Sequence, residues 1–265
     1  MSILITGSHG YIGTRLTTLV REAFPDQVIA TTDTKIGRDY SKLTGGIWDV
    51  VFHLGAISTI ISSFERANEM MEVNAFNIIP FVQNNKIGKF IFAGSASIYG
   101  EMKGPMKEEE AKWTDCLSPY AQTKYIAEGI IRQLIPNHFI ARFGNVFGGD
   151  YGPREEWLAP THFMYDNPIV LYGGKQIRDF VHVDLICKAL IAAAKRPEIV
   201  GTYNLANGEA VKLEDIAVAF SKERGVPIKY EPQRKGESMY VVLNVDKARA
   251  AGLLPKVAPV NDYRS

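Results

Sequence analysis

Tyr120 and Lys124 stand four residues apart in a stretch with helical spacing, so both side chains project from one face. An ammonium beside a phenol favours the phenolate, which is what a tyrosine needs to take a proton near neutral pH. An exposed helix pair is the plain alternative for a lone Tyr-x-x-x-Lys spacing. Upstream, Ser95 lies in Ala93-Gly94-Ser95-Ala96-Ser97-Ile98-Tyr99-Gly100, just past an apolar run that reads as a strand. In an open parallel sheet ligands gather at the carboxyl ends of the strands, so a hydroxyl there can bond a reacting oxygen.

A second pattern concerns phosphate. Thr6-Gly7-Ser8-His9-Gly10-Tyr11-Ile12-Gly13 falls between the first apolar run and the first helical pattern. Glycines at 7, 10 and 13 permit a tight turn, let backbone N–H groups approach a pyrophosphate, and let the next helix pack close to the sheet. The helix N-terminus adds partial positive charge. Three glycines also serve ordinary turns, and it is their place after an N-terminal strand that points to a dinucleotide. Asp33 ends the second strand, where a carboxylate can accept from both adenosine ribose hydroxyls and repel a 2′-phosphate. NAD is therefore the expected cofactor. A turn or helix-cap aspartate is the other reading, and Lys35 and Arg38 stand close enough to keep a phosphorylated cofactor open.

The elements that must position these residues follow from periodicity. Short β-rich runs alternate with longer helical patterns, as in a parallel sheet with crossover helices. Strands are expected at 3–6, 27–32, 49–54, 89–93 and 138–143, with helices over 11–24, 62–83 and 119–133. A lysine- and glutamate-rich loop spans 101–115. After Gly148 the pattern loosens, with turns at 150–154 and 172–175. A helix over 183–195 leads to a strand at 202–205; a helix over 213–224, a strand at 228–230 and a proline-rich tail follow. The expected fold is α/β, a Rossmann-type doubly wound parallel sheet from residues 1–148 and 178–207. Residues 149–177 and 208–265 are expected to form a small C-terminal lobe that caps the substrate.

Eight segments now occur in a telling order. They are the glycine turn, Asp33, His53-Leu54-Gly55-Ala56, the Ser95 run, Ser118-Pro119-Tyr120-Ala121-Gln122-Thr123-Lys124, Arg142-Phe143-Gly144-Asn145-Val146-Phe147-Gly148, Arg178-Asp179-Phe180-Val181-His182-Val183-Asp184 and Tyr203-Asn204-Leu205-Ala206-Asn207-Gly208. This series resembles the extended short-chain dehydrogenase/reductase superfamily, and most closely its NAD-dependent nucleotide-sugar epimerase/dehydratase family, over about residues 1–210. The resemblance implies a catalytic triad. Tyr120 is base and acid, Lys124 lowers its pKa and holds the nicotinamide ribose, and Ser95 assists. It implies cofactor contacts from Gly7, Gly10, Tyr11, Ile12, Gly13, Asp33, Leu54, Gly55, Ala56, Tyr120 and Lys124. Substrate contacts are implied for Ser95, Asn145 and Arg178, with Arg234 a further candidate cation. A guanidinium suits a diphosphate because its forked donors engage two oxygens at once. The plain alternatives are a turn asparagine at 145 and a surface arginine at 178 paired with Asp179.

Within that family, Tyr120 would take the proton of a sugar hydroxyl as hydride leaves the same carbon, giving a 4-keto sugar. Dehydratases carry an Asp-Glu pair directly after the active-site Ser or Thr, whereas Ala96 and Ser97 stand here. The Thr-Ser-Glu pattern of related decarboxylases is also absent. The 95–100 run is most similar to 4-epimerases, and epimerization needs no extra acid, so an NAD-dependent nucleotide-sugar 4-epimerase is the leading expectation. A reductase, dehydrogenase or dehydratase of the family is the alternative, and a non-catalytic NAD-binding sensor a lesser one. The chain departs from the family in its short 33–49 stretch, where Asp39 is the candidate adenine contact, and in its short part after Arg178. A homodimer is implied through the helices near 62–83 and 119–133. Ile61, Phe64, Met70, Met71, Val73 and Phe76 supply more apolar surface than one buried stripe requires.

Composition narrows the partners. The 265 residues are 46% hydrophobic and 22% charged, ordinary for a globular protein. A net charge of +1 argues against a broad grip on nucleic acid or membrane, so an anionic ligand must be met by a few placed cations. Cys116 and Cys187 give neither a disulfide framework nor a metal spacing, and no metal is expected. His53 and His182 lie in apolar runs and read as core or strand-end histidines. The first apolar run is too short for a signal peptide and no stretch approaches the roughly 18 apolar residues of a membrane span, so a cytoplasmic location is expected.

Overall fold

The computed structural model describes residues 1–149, 151 and 160–256. Most of the turn expected at 150–154, and the tail beyond 256, lie outside them. In β1 (Ser2–Thr6), Ile3 and Ile5 face one side of the sheet and Leu4 the other, all fully buried, as a strand covered on both faces must be. There follow α1 (Tyr11–Ala23), β2 (Val28–Thr32), β3 (Ile47–His53), α2 (Ala67–Met71), α3 (Ile78–Gln83), β4 (Lys86–Ser95), α4 (Pro119–Leu134) and β5 (His138–Phe143). Next come β6 (Asn145–Phe147), β7 (Ile169–Tyr172), β8 (Ile177–Arg178), β9 (Phe180–His182), α5 (Val183–Lys195) and β10 (Gly201–Leu205). The last are β11 (Val211–Lys212), α6 (Leu213–Arg224), β12 (Ile228–Glu231) and α7 (Asp246–Ala250).

Among the described residues the central sheet has six strands in the order β2-β1-β3-β4-β5-β10, every pair parallel. This is an α/β, Rossmann-type doubly wound sheet, and the winding reverses between β1 and β3, where such sheets take their ligands. α1 and α5 cover the Ile3, Phe52 and Phe139 face; α3 and α4 cover the Leu4, Val51 and Phe90 face. No helix among the described residues is long and apolar enough to cross a membrane.

Two features differ from the sequence expectation. The helix expected over 62–83 is broken: α2 runs into a π-helical turn, Glu72–Phe76, before α3 begins. The wide turn carries Asn74 inward, where its amide accepts from Ile57 N at 2.8 Å and donates to Ile57 O at 2.9 Å and Thr123 Oγ1 at 3.1 Å. Apolar spacing is blind to such a bond, because it registers side-chain polarity and not backbone need. The short 33–46 connection forms only two 3-10 turns, Thr34–Ile36 and Tyr40–Lys42, so β2 is left at the sheet edge. Tyr40 fills the space a crossover helix would cover. Its ring meets His53 at 4.6 Å and Phe81 at 5.6 Å, and its hydroxyl donates to Val73 O at 2.8 Å.

Outside the sheet, β7 pairs with β12, β8 with β11 and β6 with β9. With α6 they enclose a third core of Phe147, Phe163, Ile169, Leu171, Phe180 and Phe220. The stretch 241–254 instead lays Val241, Leu243, Val245 and Leu253 on the α1–α5 side of the main core. Asp179 joins these parts. Fully buried between β8 and β9, it accepts from Asn207 N at 2.8 Å, Gly208 N at 3.0 Å and Leu243 N at 3.1 Å. Burial pushes its carboxyl up to about 6, opposed by these backbone donors. Asp179→Ala would orphan them, and each unpaired buried donor costs about 1–3 kcal/mol. The expected loss is at least about 3 kcal/mol, a drop of roughly 6–12 °C in Tm for a chain of this size. An unchanged melting curve would mean that water replaces the carboxylate.

Candidate active site

The glycine turn is built from backbone packed on backbone. Gly7 has φ +69°, and a Cβ there would lie 2.6 Å from Gly55 N. A Cβ on Gly13 would meet Gly7 O at 1.9 Å. No other residue type lets α1 begin so close to the loop after β3. The turn is one wall of a groove of about 330 Å³ at the carboxyl ends of β1, β3 and β4. Gly7, Gly10, Tyr11, Ile12, Gly13, Asp33, Leu54, Gly55, Ala56, Ser95, Tyr120 and Lys124 all line it. Tyr11 spends its hydroxyl on Gly148 O, at 2.7 Å.

Asp33 accepts from His9 N and Lys35 N, each at 2.9 Å, so it caps the turn behind β2 while facing the groove. A carboxylate has about four acceptor sites, which leaves capacity for ribose hydroxyls. A side-chain-free phosphate cradle at a helix start and an acceptor at the end of β2 together fit a dinucleotide. Lys35, Arg38 and Asp39 also border the groove. Tyr40, Val73, Asn77 and Phe143 line it as well. None of these four is named as a contact from sequence: Tyr40 lies in a short turn, Val73 and Asn77 in a helical stretch, and Phe143 ends β5 within the 142–148 segment, where Asn145 alone is singled out.

At the far end, Ser118 caps α4 by accepting from Ala121 N at 3.2 Å, and Pro119 sets the first turn. Tyr120 and Lys124 are both buried one turn apart. Lys124 Nζ donates to Ala93 O at 2.9 Å and lies 4.9 Å from the centre of the Phe92 ring. Burial lowers its amine to about 8, opposed by Glu128 one turn further on. For Tyr120, burial raises the phenol above its ordinary value and the Ser95 hydroxyl opposes that. Sequence names Lys124 as the cation that lowers this phenol; in the structure its ammonium donates to a carbonyl, and burial and the Ser95 hydroxyl are what bear on Tyr120. Ser95 Oγ lies 2.9 Å from Ser97 Oγ and accepts from Ser97 N at 3.2 Å, capping the turn Ala96–Tyr99.

The remaining candidates lie apart from this groove. Asn145 sits on β6, and its backbone donates to Asp179 O at 2.7 Å. Arg178 is 5% exposed and donates to Glu237 at 2.9 Å. It is neither a surface arginine nor paired with Asp179, because the β8 backbone turns the two side chains to different neighbours. Burial lowers its guanidinium below the usual range, opposed by Glu237. The Arg234 guanidinium stacks 3.5 Å over the Tyr172 ring. Glu237 and Tyr172 were missed from sequence; the nearest signal was Glu237 closing the Gln233-Arg234-Lys235-Gly236-Glu237 run. His53, 1% exposed, shares a 2.9 Å bond with Thr6 and is lowered by burial to about 3, a neutral core histidine. His182 caps α5, accepting from Asp184 N at 3.2 Å. Among the described residues no group of His, Cys, Asp and Glu could hold a metal ion.

Residues 3–206 match the model of the NAD dependent epimerase/dehydratase family. The chain is 28% identical to a putative UDP-glucose 4-epimerase of Methanocaldococcus jannaschii, covering 96% of this chain and 93% of that one. It is 27% identical to the UDP-glucose 4-epimerase of Mycoplasma genitalium, covering 93% and 89%. In fold it is similar to MoeE5 in complex with UDP-glucose and NAD, with a TM-score of 0.85, 22% identity and coverage of 98% and 95%. The UDP-glucose 4-epimerase of Thermotoga maritima with UDP-glucose superposes with a TM-score of 0.83, 22% identity and coverage of 97% and 94%.

The groove makes a pH prediction. A folded-state value below the ordinary one means that Lys124 gives up its proton early, positive below about 8 and neutral above. Affinity for NAD, followed by protein fluorescence, is expected to fall roughly tenfold between about pH 7 and about pH 10, the worth of one charge-assisted hydrogen bond. Lys124→Met should flatten that dependence. A pH-independent affinity in the unchanged protein would mean that Lys124 does not touch the nucleotide.

Proposed function

Because the chain belongs to the NAD-dependent epimerase/dehydratase family, we propose that it is a nucleotide-sugar 4-epimerase acting on a UDP-hexose. The observation that carries this reading is the meeting of Ser95, Tyr120 and Lys124 at one end of the dinucleotide groove, with Ala96 and Ser97 where an acid pair would serve dehydration. The relatives named as UDP-glucose 4-epimerases support the same substrate class.

In this reading Gly7, Gly10 and Gly13 open the backbone to the pyrophosphate and Asp33 takes the adenosine ribose. Bound NAD supplies a hydride acceptor that returns the hydride later. Tyr120 Oη takes the proton of the sugar 4-hydroxyl as that carbon is oxidised, and gives it back once the sugar has presented its other face. Lys124 holds the nicotinamide ribose and keeps positive charge beside the phenol. Ser95 bonds the reacting oxygen. Asn145, Arg178 and Arg234 receive the diphosphate, with Arg178 exchanging Glu237 for phosphate.

In this reading the described parts of 149–177 and 208–265 make up the substrate lobe, with 241–254 packed on the main core. The homodimer proposed from sequence would use the stretch 61–83 and α4, where Ile61, Phe76 and Leu134 are exposed. A reducing cytoplasm suits the free thiols of Cys116 and Cys187.

Tyr120→Phe removes one hydroxyl and should leave fold and NAD binding intact. Interconversion of UDP-glucose and UDP-galactose is expected to fall by roughly 10²–10⁴, the worth of general acid–base catalysis. Retention of more than about a tenth of the activity would remove Tyr120 as the proton carrier. A 4-keto-6-deoxy sugar as the accumulating product would replace epimerization by dehydration. Sedimentation at micromolar concentration should give twice the chain mass, and a monomer would remove the dimer.

A further inference from the structure

Ser97 has no role in the reaction as drawn, yet its hydroxyl stands 2.9 Å from that of Ser95. A serine hydroxyl has one proton and two lone pairs. One lone pair of Ser95 is committed, because Ser97 N–H can only donate and points at it from 3.2 Å. That leaves one lone pair and one proton for two neighbours, the Ser97 hydroxyl and the Tyr120 phenol. When one neighbour donates to Ser95, the other must accept from it. Whenever the Tyr120 phenol, which lines the same groove, bonds Ser95, the polarity of the two contacts is coupled by counting alone.

We propose that Ser97 is a positioning residue whose hydroxyl lets Ser95 reverse its hydrogen-bond direction each time Tyr120 takes or returns a proton. With Tyr120 ionised, Ser97 donates to Ser95 and Ser95 donates to the phenolate oxygen. With Tyr120 protonated, the phenol donates to Ser95 and Ser95 donates to Ser97. Each serine keeps its own proton throughout, and only the directions change, so the sole proton exchanged is that between Tyr120 and the substrate. A hydroxyl at 97 serves both states because it can donate and accept; a methyl at this place serves neither. The ionised state gains more, since hydrogen bonds to a charged oxygen are about twice as strong as neutral ones and successive bonds polarise one another. An epimerase must pass through both states in every turnover. The proposal rests on that reading of Tyr120, but its geometry does not depend on which sugar is bound.

Ser97→Ala and Ser97→Thr test it, the second keeping the hydroxyl. Two quantities are measured on the full chain. One is turnover of UDP-glucose with KM and NAD affinity. The other is the Tyr120 titration, from the tyrosinate absorbance difference between each variant and the same variant carrying Tyr120→Phe, without sugar. Ser97→Ala is expected to lower kcat about tenfold, the worth of one net hydrogen bond, with KM and NAD affinity within about twofold. The phenol midpoint should rise by about one unit for the same reason. Ser97→Thr should restore both. A Ser97→Ala midpoint equal to that of the unchanged protein overturns the proposal, as does a Ser97→Ala midpoint shift that Ser97→Thr fails to reverse. A midpoint that moves and is restored while no nucleotide sugar turns over upholds the hydroxyl pair and removes the epimerase reading. Normal turnover with an unmoved midpoint does the opposite.

Discussion

Glu128 and Arg142 face each other where water does not reach, and the back of the site is arranged to satisfy both. Taking two ions out of water costs several kcal/mol each after relaxation, so nearly every donor and acceptor must find a partner. Glu128 accepts from Arg142 Nε at 3.0 Å, from its Nη2 at 2.7 Å and from Arg132 at 2.5 Å. Arg142 Nη1 turns the other way, to Tyr99 Oη at 2.7 Å and Glu108 O at 2.6 Å. Tyr99 passes the chain on to Asn204 Oδ1 at 2.7 Å. The pair therefore joins α4, which carries Tyr120 and Lys124, to β5, to the turn behind Ser95, and to the outer strand β10. Gly94 is needed beside it, because a Cβ there would press within 3.2 Å of the Glu128 carboxylate. Only when these parts are locked together can hydroxyls, a phenol and an amine share one small space in a fixed arrangement.

The same network guards a sheet edge. β10 has no strand beyond it among the described residues, and an open edge invites pairing with another chain. Side chains close it instead. Glu108 accepts from Asn204 N at 2.8 Å, and Lys247 donates to Thr202 O at 2.7 Å. Asn204 Nδ2 reaches Met106 O and Asn244 O, drawing the 101–115 loop and the segment before α7 across the strand. At the opposite edge β2 keeps its outer side open, with Val28 exposed, because the connection after Asp33 is too short to supply another strand.

What the sequence discloses, and what it hides, divides along a physical line. Gly7 and Gly13 are legible because the backbone contact they permit excludes a Cβ, so the constraint falls on residue type at fixed spacing. Tyr120 and Lys124 are legible because helical geometry converts a spacing of four into a shared face. The sheet is legible through its apolar runs, and five of its six strands fall within two residues of expectation at each end; β4 begins at Lys86, three residues early. Hidden are the pairings between distant residues, such as Arg178 with Glu237, 59 positions on. Hidden too is Tyr40 standing in for a helix, since one aromatic in a short turn carries no period. The surroundings of Tyr120 are hidden for a related reason. Sequence shows which charge is near, but not whether that charge is already spent on Ala93 O or how deep the phenol lies.

Asp179 gives the molecule a sense of time. Its last donor, Leu243, follows it by 64 residues. A chain lengthened at roughly 5–20 residues per second therefore carries this carboxylate for roughly 3–13 seconds before that partner exists. Asn207 and Gly208 can serve it earlier, from 28 and 29 positions on, but its third donor and the apolar cover of 241–254 are still to come. Arrival of the 241–254 stretch supplies both the final N–H group and the apolar cover that removes water. Full satisfaction of this one acidic side chain thus waits on a segment made after the strands that wall the dinucleotide groove.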